Sequence, residues 1–142
     1  MSTLESDNVR YTGPPFEKAR VRDAMRIGVV TCRSETSLED VARMMATFTI
    51  HSVVVEDEGV PQGIVSAIDI ATSGSSDLAT TRAGDVATRD LVTIPADETL
   101  EQAARTMSRH GVTHLLVVQP ESDRPVGVFS ASGLATVLAA PA

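Results

Sequence analysis

The residues able to do chemistry are few, and most stand far apart. Ser66 and Asp69 lie three residues apart at the head of a short apolar stretch. That spacing predicts a capping box, in which a hydroxyl and a carboxylate each take one orphan N–H of a helix start. The three histidines, His51, His110 and His114, have no Cys or carboxylate at ligand spacing, so the metal signal is weak. Cys32 is the one cysteine, which excludes an internal disulfide and a cysteine metal cluster. There is no Gly-x-Ser-x-Gly elbow, no Gly-x-x-x-x-Gly-Lys loop and no Gly-x-Gly-x-x-Gly fingerprint. No catalytic constellation is visible, and the chain reads as a non-enzyme.

The elements that hold these residues are written twice. Val30-Thr31, Leu38-Glu39, Ala42-Arg43, Met45 and Val55 recur as Val92-Thr93, Leu100-Glu101, Ala104-Arg105, Met107 and Val117. After a two-residue insertion, Pro61, Gly63, Ser66-Ala67 and Ala71-Thr72 recur as Pro125, Gly127, Ser130-Ala131 and Ala135-Thr136. Each copy predicts β-α-β-β-α. In the first, a strand over Gly28–Cys32 leads to a helix over Leu38–Phe48. Its apolar face is Leu38, Val41, Ala42, Met45 and Phe48, and Ser37 or Thr36 caps it. The second copy has Leu100, Ala103, Ala104, Met107 and His110, with Thr99 and Gln102 as a capping box. The position of His110 on this face predicts a packing role.

Val53-Val54-Val55 predicts a buried strand, Asp57-Glu58-Gly59 a turn, and Gln62–Ser66 the returning strand. A short helix follows from Ala67. The second copy gives a strand over Leu115–Val118, a longer loop over Gln119–Arg124, a strand over Val126–Ser130 and a helix through Leu138. A short helix is expected over Phe16–Met25. The expected division is a mobile arm over 1–15, one repeat over 16–72, a linker over 73–80 containing Ser73-Gly74-Ser75-Ser76, and a second repeat over 81–142. One such unit buries little core, so the two are expected to pack together. Arg43 and Arg105 occupy equivalent positions on an exposed face. Met44, Met45 and Met107 read as core or dimer contacts.

Among 142 residues there is no Trp, one Tyr and three Phe, so stacking platforms for bases are scarce. The formal charge of −7 opposes non-specific binding to nucleic acid or anionic membranes. The first ten residues are polar, and no apolar run approaches membrane-spanning length. A cytoplasmic protein is expected.

The order of these pieces resembles the CBS-domain family, whose tandem pairs are called Bateman modules. The resemblance covers Val21 to Ala139. It rests on Val21-Arg22-Asp23-Ala24-Met25 as a lead-in, Val53 to Gly59 as second strand and turn, and Gly63-Ile64-Val65-Ser66-Ala67-Ile68-Asp69 as a Gly-x-x-Ser/Thr-x-x-Asp signature. It implies an α+β fold of two β-α-β-β-α repeats packed as a pseudo-twofold pair. It also implies an adenosine-containing ligand (AMP, ADP, ATP or S-adenosylmethionine) in the cleft between repeats, a regulatory role, and a homodimer.

Carried onto this chain, Val30 and Ile50 line a slot for the base, with Thr31 and His51 nearby. Asp69 accepts from the ribose hydroxyls. Ser66, at a helix start, donates to phosphate. The resemblance also points His114 at a phosphate. The alternative for His114 is a partly buried polar residue beside the hairpin.

The chain departs from the family pattern at four places. Val53 and Leu115 stand where a proline is usual, Arg33 stands where the second copy has Pro95, and Gly133 stands where the first copy has Asp69. Arg33 either reaches a phosphate or is solvated, the latter being the default. One ligand site is therefore expected, in the first copy. No cofactor is expected beyond this regulatory ligand, and the signal would pass to a separate protein partner. The alternative is a ligand-free adaptor that dimerises through its helices.

Overall fold

The computed structural model describes residues 11–74, 77–89 and 91–140. Of the expected arm, residues 1–10 lie outside the described residues, as do Ser75 and Ser76 of the expected linker. In chain order the elements are α1 (Val21–Ala24), β1 (Arg26–Ile27), β2 (Thr31–Cys32), α2 (Leu38–Phe48), β3 (Ser52–Asp57), β4 (Val60–Ser66), α3 (Ala67–Ala71), α4 (Ala83–Val86), β5 (Thr93–Pro95), α5 (Leu100–His110), β6 (His114–Val118), β7 (Pro125–Ser130) and α6 (Ala131–Ala139).

The chain forms two compact units. Among the described residues, the first spans 29–74, 77–89 and 91, and the second joins 11–28 to 92–140. In the first unit the sheet order is β2-β3-β4, with β2 parallel to β3 and β4 antiparallel to it. In the second the order is β1-β7-β6-β5, with β5 parallel to β6 and the other pairs antiparallel. The β3–β4 hairpin turns on Glu58 (φ 53°) and Gly59 (φ 77°). Two successive positive φ values match the right-handed twist of the flanking strands.

The long helices follow their apolar stripes. Ser37 Oγ accepts from Asp40 N at 3.1 Å at the start of α2, and Thr99 Oγ1 accepts from Gln102 N at 3.1 Å at the start of α5. Leu38, Val41 and Met45 are buried with Val53, Val55 and Val65. Leu100, Ala103 and Met107 are buried with Leu115, Val117 and Phe129. Arg43 and Arg105 lie on the exposed faces, in ion pairs with Glu39, Asp40 and Glu101. Exposed pairs of this kind contribute only a few tenths of a kcal/mol each.

The last position of each stripe departs from expectation. Phe48 is 54% exposed, and His110 is exposed with Nδ1 2.9 Å from the Thr106 carbonyl oxygen. The reason is the way both helices end. Thr49 and Gly111 turn left-handed at φ 53° and 65°, and the next residues fold back, Ile50 N bonding to Met45 O and Val112 N to Met107 O, each at 3.0 Å. This 6→1 closure carries an apolar residue back under the last turn. Ile50 and Val112 therefore fill the core places expected for Phe48 and His110.

The lead-in segments are exchanged between the sequence repeats. Val21–Met25 stands sixty-two residues before Ala83–Ala87, the offset of the repeats themselves. Val21 N and Arg22 N bond to Glu98 O and Ala96 O, both at 2.9 Å. In the same way Ala83 N and Gly84 N bond to Thr36 O and Ser34 O, at 2.7 and 2.9 Å. The segment preceding the first repeat is thus built into the second unit, and the segment preceding the second repeat into the first. The compact units consequently cut the chain differently from the expected spans of 16–72 and 81–142.

The same exchange trims two expected elements. The helix expected over Phe16–Met25 is reduced to α1, because Arg20 is extended (ψ 165°) and bridges to Thr99 before it, and Met25 is extended (ψ 157°) and leads into β1 after it. The strand expected over Gly28–Cys32 is reduced to β2, because Gly28 (φ 88°) turns the chain out of β1.

One glycine in each sheet permits the docking. A Cβ on Gly63 would fall against the carbonyl oxygen of Thr88, and one on Gly127 against that of Arg26. Thr88 bridges to Ile64, and Arg26 pairs with Val128, the equivalent register. Gly63→Ala and Gly127→Ala are each expected to destabilise the fold by about 1–3 kcal/mol, the usual cost of forcing atoms into a filled space. Urea unfolding checks this, and no loss in either variant would refute the close approach. Thr49→Gly has the opposite expectation, a gain of about 0.5–1 kcal/mol, because a β-branched residue pays for φ > 0 where glycine does not. Gly111 already occupies the equivalent place in the second unit, and the same unfolding experiment reads the gain.

Candidate functional site

Six of the seven candidate residues fall at one end of the first unit's sheet, and backbone pairing brings them together. Thr31 pairs with Val54, and Val30 O accepts from Val54 N at 3.0 Å. His51 O accepts from Ala67 N at 2.9 Å, and Ser52 pairs with Ser66. The start of β2, the start of β3 and the junction of β4 with α3 therefore share one edge. Ile50 is buried there, Val30 and Thr31 are half-buried, and His51 is exposed. His114 belongs to the second unit, where it pairs with Ser130 and its Nδ1 lies 3.1 Å from Thr113 Oγ1.

Ser66 and Asp69 form the capping box that their spacing predicts. Ser66 N donates to Asp69 Oδ2 at 2.8 Å, and Asp69 N donates to Ser66 Oγ at 3.0 Å. The box fixes the carboxylate, half-buried, at the junction and leaves Oδ1 outside the reciprocal pair. Capping therefore does not exhaust the acceptor capacity of Asp69.

The second copy keeps only half of this arrangement. Ser130 Oγ accepts from Gly133 N at 3.4 Å and meets Ser132 Oγ at 2.7 Å. A Cβ at Gly133 would stand 3.1 Å from the Ala24 carbonyl oxygen and 3.3 Å from the Phe129 ring. The docked lead-in helix α1 thus crowds the place where the first copy has its carboxylate.

The opposite end of the first sheet holds a second polar cluster, in which Ser34 meets Asp57 beside the hairpin turn. Ser34 N donates to Asp57 Oδ1 at 3.2 Å, and Ser34 Oγ lies 3.0 and 2.8 Å from the two carboxylate oxygens. These bonds hold the Asp57 carboxyl below its ordinary value of 3.8, and the Arg33 guanidinium adds to the effect. Arg33 itself is exposed and paired with Glu35 at 2.8 Å. Burial, with the Asp57 charge, pushes the Cys32 thiol up to about 11, so it carries almost no thiolate at neutral pH. A signal for this cluster was present in the sequence, since Ser34 and Asp57 stand where the second copy has Ala96 and Gln119.

The CBS domain family model matches residues 21–75 and 83–140, so the chain belongs to the CBS-domain family and carries two copies. It is 31% identical over 133 residues to a homoserine O-acetyltransferase of Methanococcoides burtonii, covering 92% of this chain but 27% of that protein. The chain spans about a quarter of the length of such relatives. It is 26% identical to the CBS domain-containing protein YhcV of Bacillus subtilis, covering 81% of this chain and 82% of that one. Among solved structures, the CBS domain pair of protein MJ0100, in complex with 5′-methylthioadenosine and S-adenosylmethionine, superposes with a TM-score of 0.74 at 23% identity. It covers 84% of this chain and 95% of that one. No helix among the described residues is long and apolar enough to cross a membrane.

The Ser34–Asp57 bond carries a pH signature. A carboxyl held low in the folded state stabilises the fold above its unfolded value, and that contribution disappears as pH falls through the folded one. Ser34→Ala is therefore expected to be less stable than the parent at neutral pH, with the difference shrinking below about pH 4. Urea titrations across that range check it, and a difference that does not vary with pH would refute the assignment.

Proposed function

We propose that this chain is a regulatory CBS pair. It binds one adenosine-containing ligand (AMP, ADP, ATP or S-adenosylmethionine) at the edge formed by Val30, Thr31, Ile50, His51, Ser66 and Asp69, and it signals to a separate protein partner, acting as a homodimer in the cytoplasm. The observation that carries this reading is the Asp69 carboxylate, fixed by Ser66 N and keeping Oδ1 outside the capping box. Such an oxygen can accept from a ribose hydroxyl without unmaking the helix cap.

The second copy, with Gly133, has no equivalent, which favours one site per chain. A protein of the same fold, the MJ0100 pair, holds 5′-methylthioadenosine and S-adenosylmethionine, and this supports the ligand class. YhcV, matched over most of its length, supports a CBS pair that acts without a fused enzyme. The much longer relatives named homoserine O-acetyltransferase instead suggest a module that serves an enzyme. A ligand can shift such a module only by binding one of its states more tightly than another.

One observation favours the adaptor alternative. Phe48 and Ile68, on α2 and α3 of the first unit, are 54% and 71% exposed. Exposed apolar side chains on helices that pack together suit an interaction face.

Calorimetric titration with AMP, ADP, ATP and S-adenosylmethionine, on protein freed of copurified nucleotide, separates the readings. Saturable binding near one ligand per chain is expected. Asp69→Asn, which keeps an acceptor for the cap but removes the charge, is expected to weaken it about ten- to a hundred-fold. Flat titrations with all four would favour the adaptor, and two equal sites would overturn the role given to Gly133.

A further inference from the structure

The first unit has a cavity of about 330 Å³ at the end of its sheet opposite Asp69. None of the seven candidate residues lines it. Buried Val55 and half-buried Ala87 supply its apolar surface, while Ser34, Asp57 and Gln62 supply neutral and anionic polar groups. Arg82, Asp85 and Arg89, from the docked lead-in segment, complete the charged lining.

The charges in this lining are unevenly committed. Asp57 is held by Ser34, and Glu35 by Arg33. The side chains of Arg82 and Asp85 have no hydrogen bond or ion pair among the described residues. Arg89 makes only a long contact, 3.4 Å, to the Gly84 carbonyl oxygen. Two guanidiniums and one carboxylate thus remain to meet a guest.

The duplication supplies an internal control. Gly84 and Ala87 correspond to Arg22 and Met25 at the shared offset, so long side chains stand in the second copy where the first has almost none. Gly84 is small of necessity, because a Cβ there would lie 2.9 Å from Ser34 Cβ. Asp57 and Arg89 correspond to Gln119 and Ile27. Arg82 and Asp85 recur as Arg20 and Asp23, so what sets the first copy apart is Asp57 and Arg89 beside a lead-in with smaller side chains.

We propose that this cavity binds a small zwitterion of the α-amino-acid class. Arg82 and Arg89 would take the carboxylate, and Asp85, with Asp57 behind it, the ammonium group. Guanidinium forks match carboxylate geometry, and a volume at the lower end of ligand sites selects a small guest. The site is separate from the adenosyl site and does not rest on that reading.

The test is a set of ¹⁵N–¹H spectra of the whole chain titrated singly with the common α-amino acids, and with acetate and methylamine as single-charge probes. Saturable shifts of the Ser34, Gly84 and Ala87 amides are expected with at least one amino acid, and none with acetate or methylamine at the same concentration. Arg82→Ala and Asp85→Ala are each expected to weaken that binding about tenfold or more, while Arg105→Ala, on the surface of α5, does not. If Arg82→Ala does not fold, Arg89→Ala gives the same reading. Silence with every amino acid, equal response to acetate, or unchanged affinity in folded Arg82 and Asp85 variants would overturn the proposal.

Discussion

Both units depend on a strip of backbone lying flat against a strand at a position where no side chain can be tolerated. Thr88 crosses β4 at Gly63, and Arg26 crosses β7 at Gly127. At each crossing the lead-in closes its hydrogen bonds on the sheet, with Thr88 N and Ile64 O 2.9 Å apart in the first unit. Buried backbone groups must find partners, and here the closest packing in the unit also provides them. Ala19 and Val21 are consequently fully buried in the second core, and Ala83 in the first.

The details of this docking differ between the two copies of the repeat, and so does their chemistry. In the second unit α1 comes close enough to α6 that Gly133 is pressed by the Ala24 carbonyl oxygen, and a side chain there would need its neighbours to move. In the first unit the matching position holds Asp69, locked by its cap. At the far end of the sheet the roles reverse. The first unit's lead-in lies close on Ser34 at Gly84 and brings Ala87 where the second brings Met25, and a cavity lies beside Ser34 and Asp57. Each unit's polar character is thus set by the lead-in it receives as much as by its own repeat.

Much of this was legible beforehand. The helix over Leu38–Phe48, the hairpin around Asp57-Glu58-Gly59 and the Ser66–Asp69 box are local events, governed by periodicity, turn chemistry and a three-residue reach. The duplication added the family, which the match over both copies shows. The exposure of Phe48 and His110 was not legible from the stripe alone. Helical spacing places them on the apolar face, and only the fold-back at Thr49 and Gly111 puts Ile50 and Val112 in their stead.

The number of repeats, the elements of each, the caps that start the helices and the asymmetry between Asp69 and Gly133 are readable from residue order, because each of these rests on neighbours along the chain. Tertiary structure alone decided which lead-in completes which sheet, why Gly63 and Gly127 must stay bare, and that Ser34, Asp57, Arg82 and Asp85 line one cavity. Those outcomes join residues far apart in the chain. Their cause is the filling of space and the pairing of buried backbone, neither of which leaves a local pattern to read.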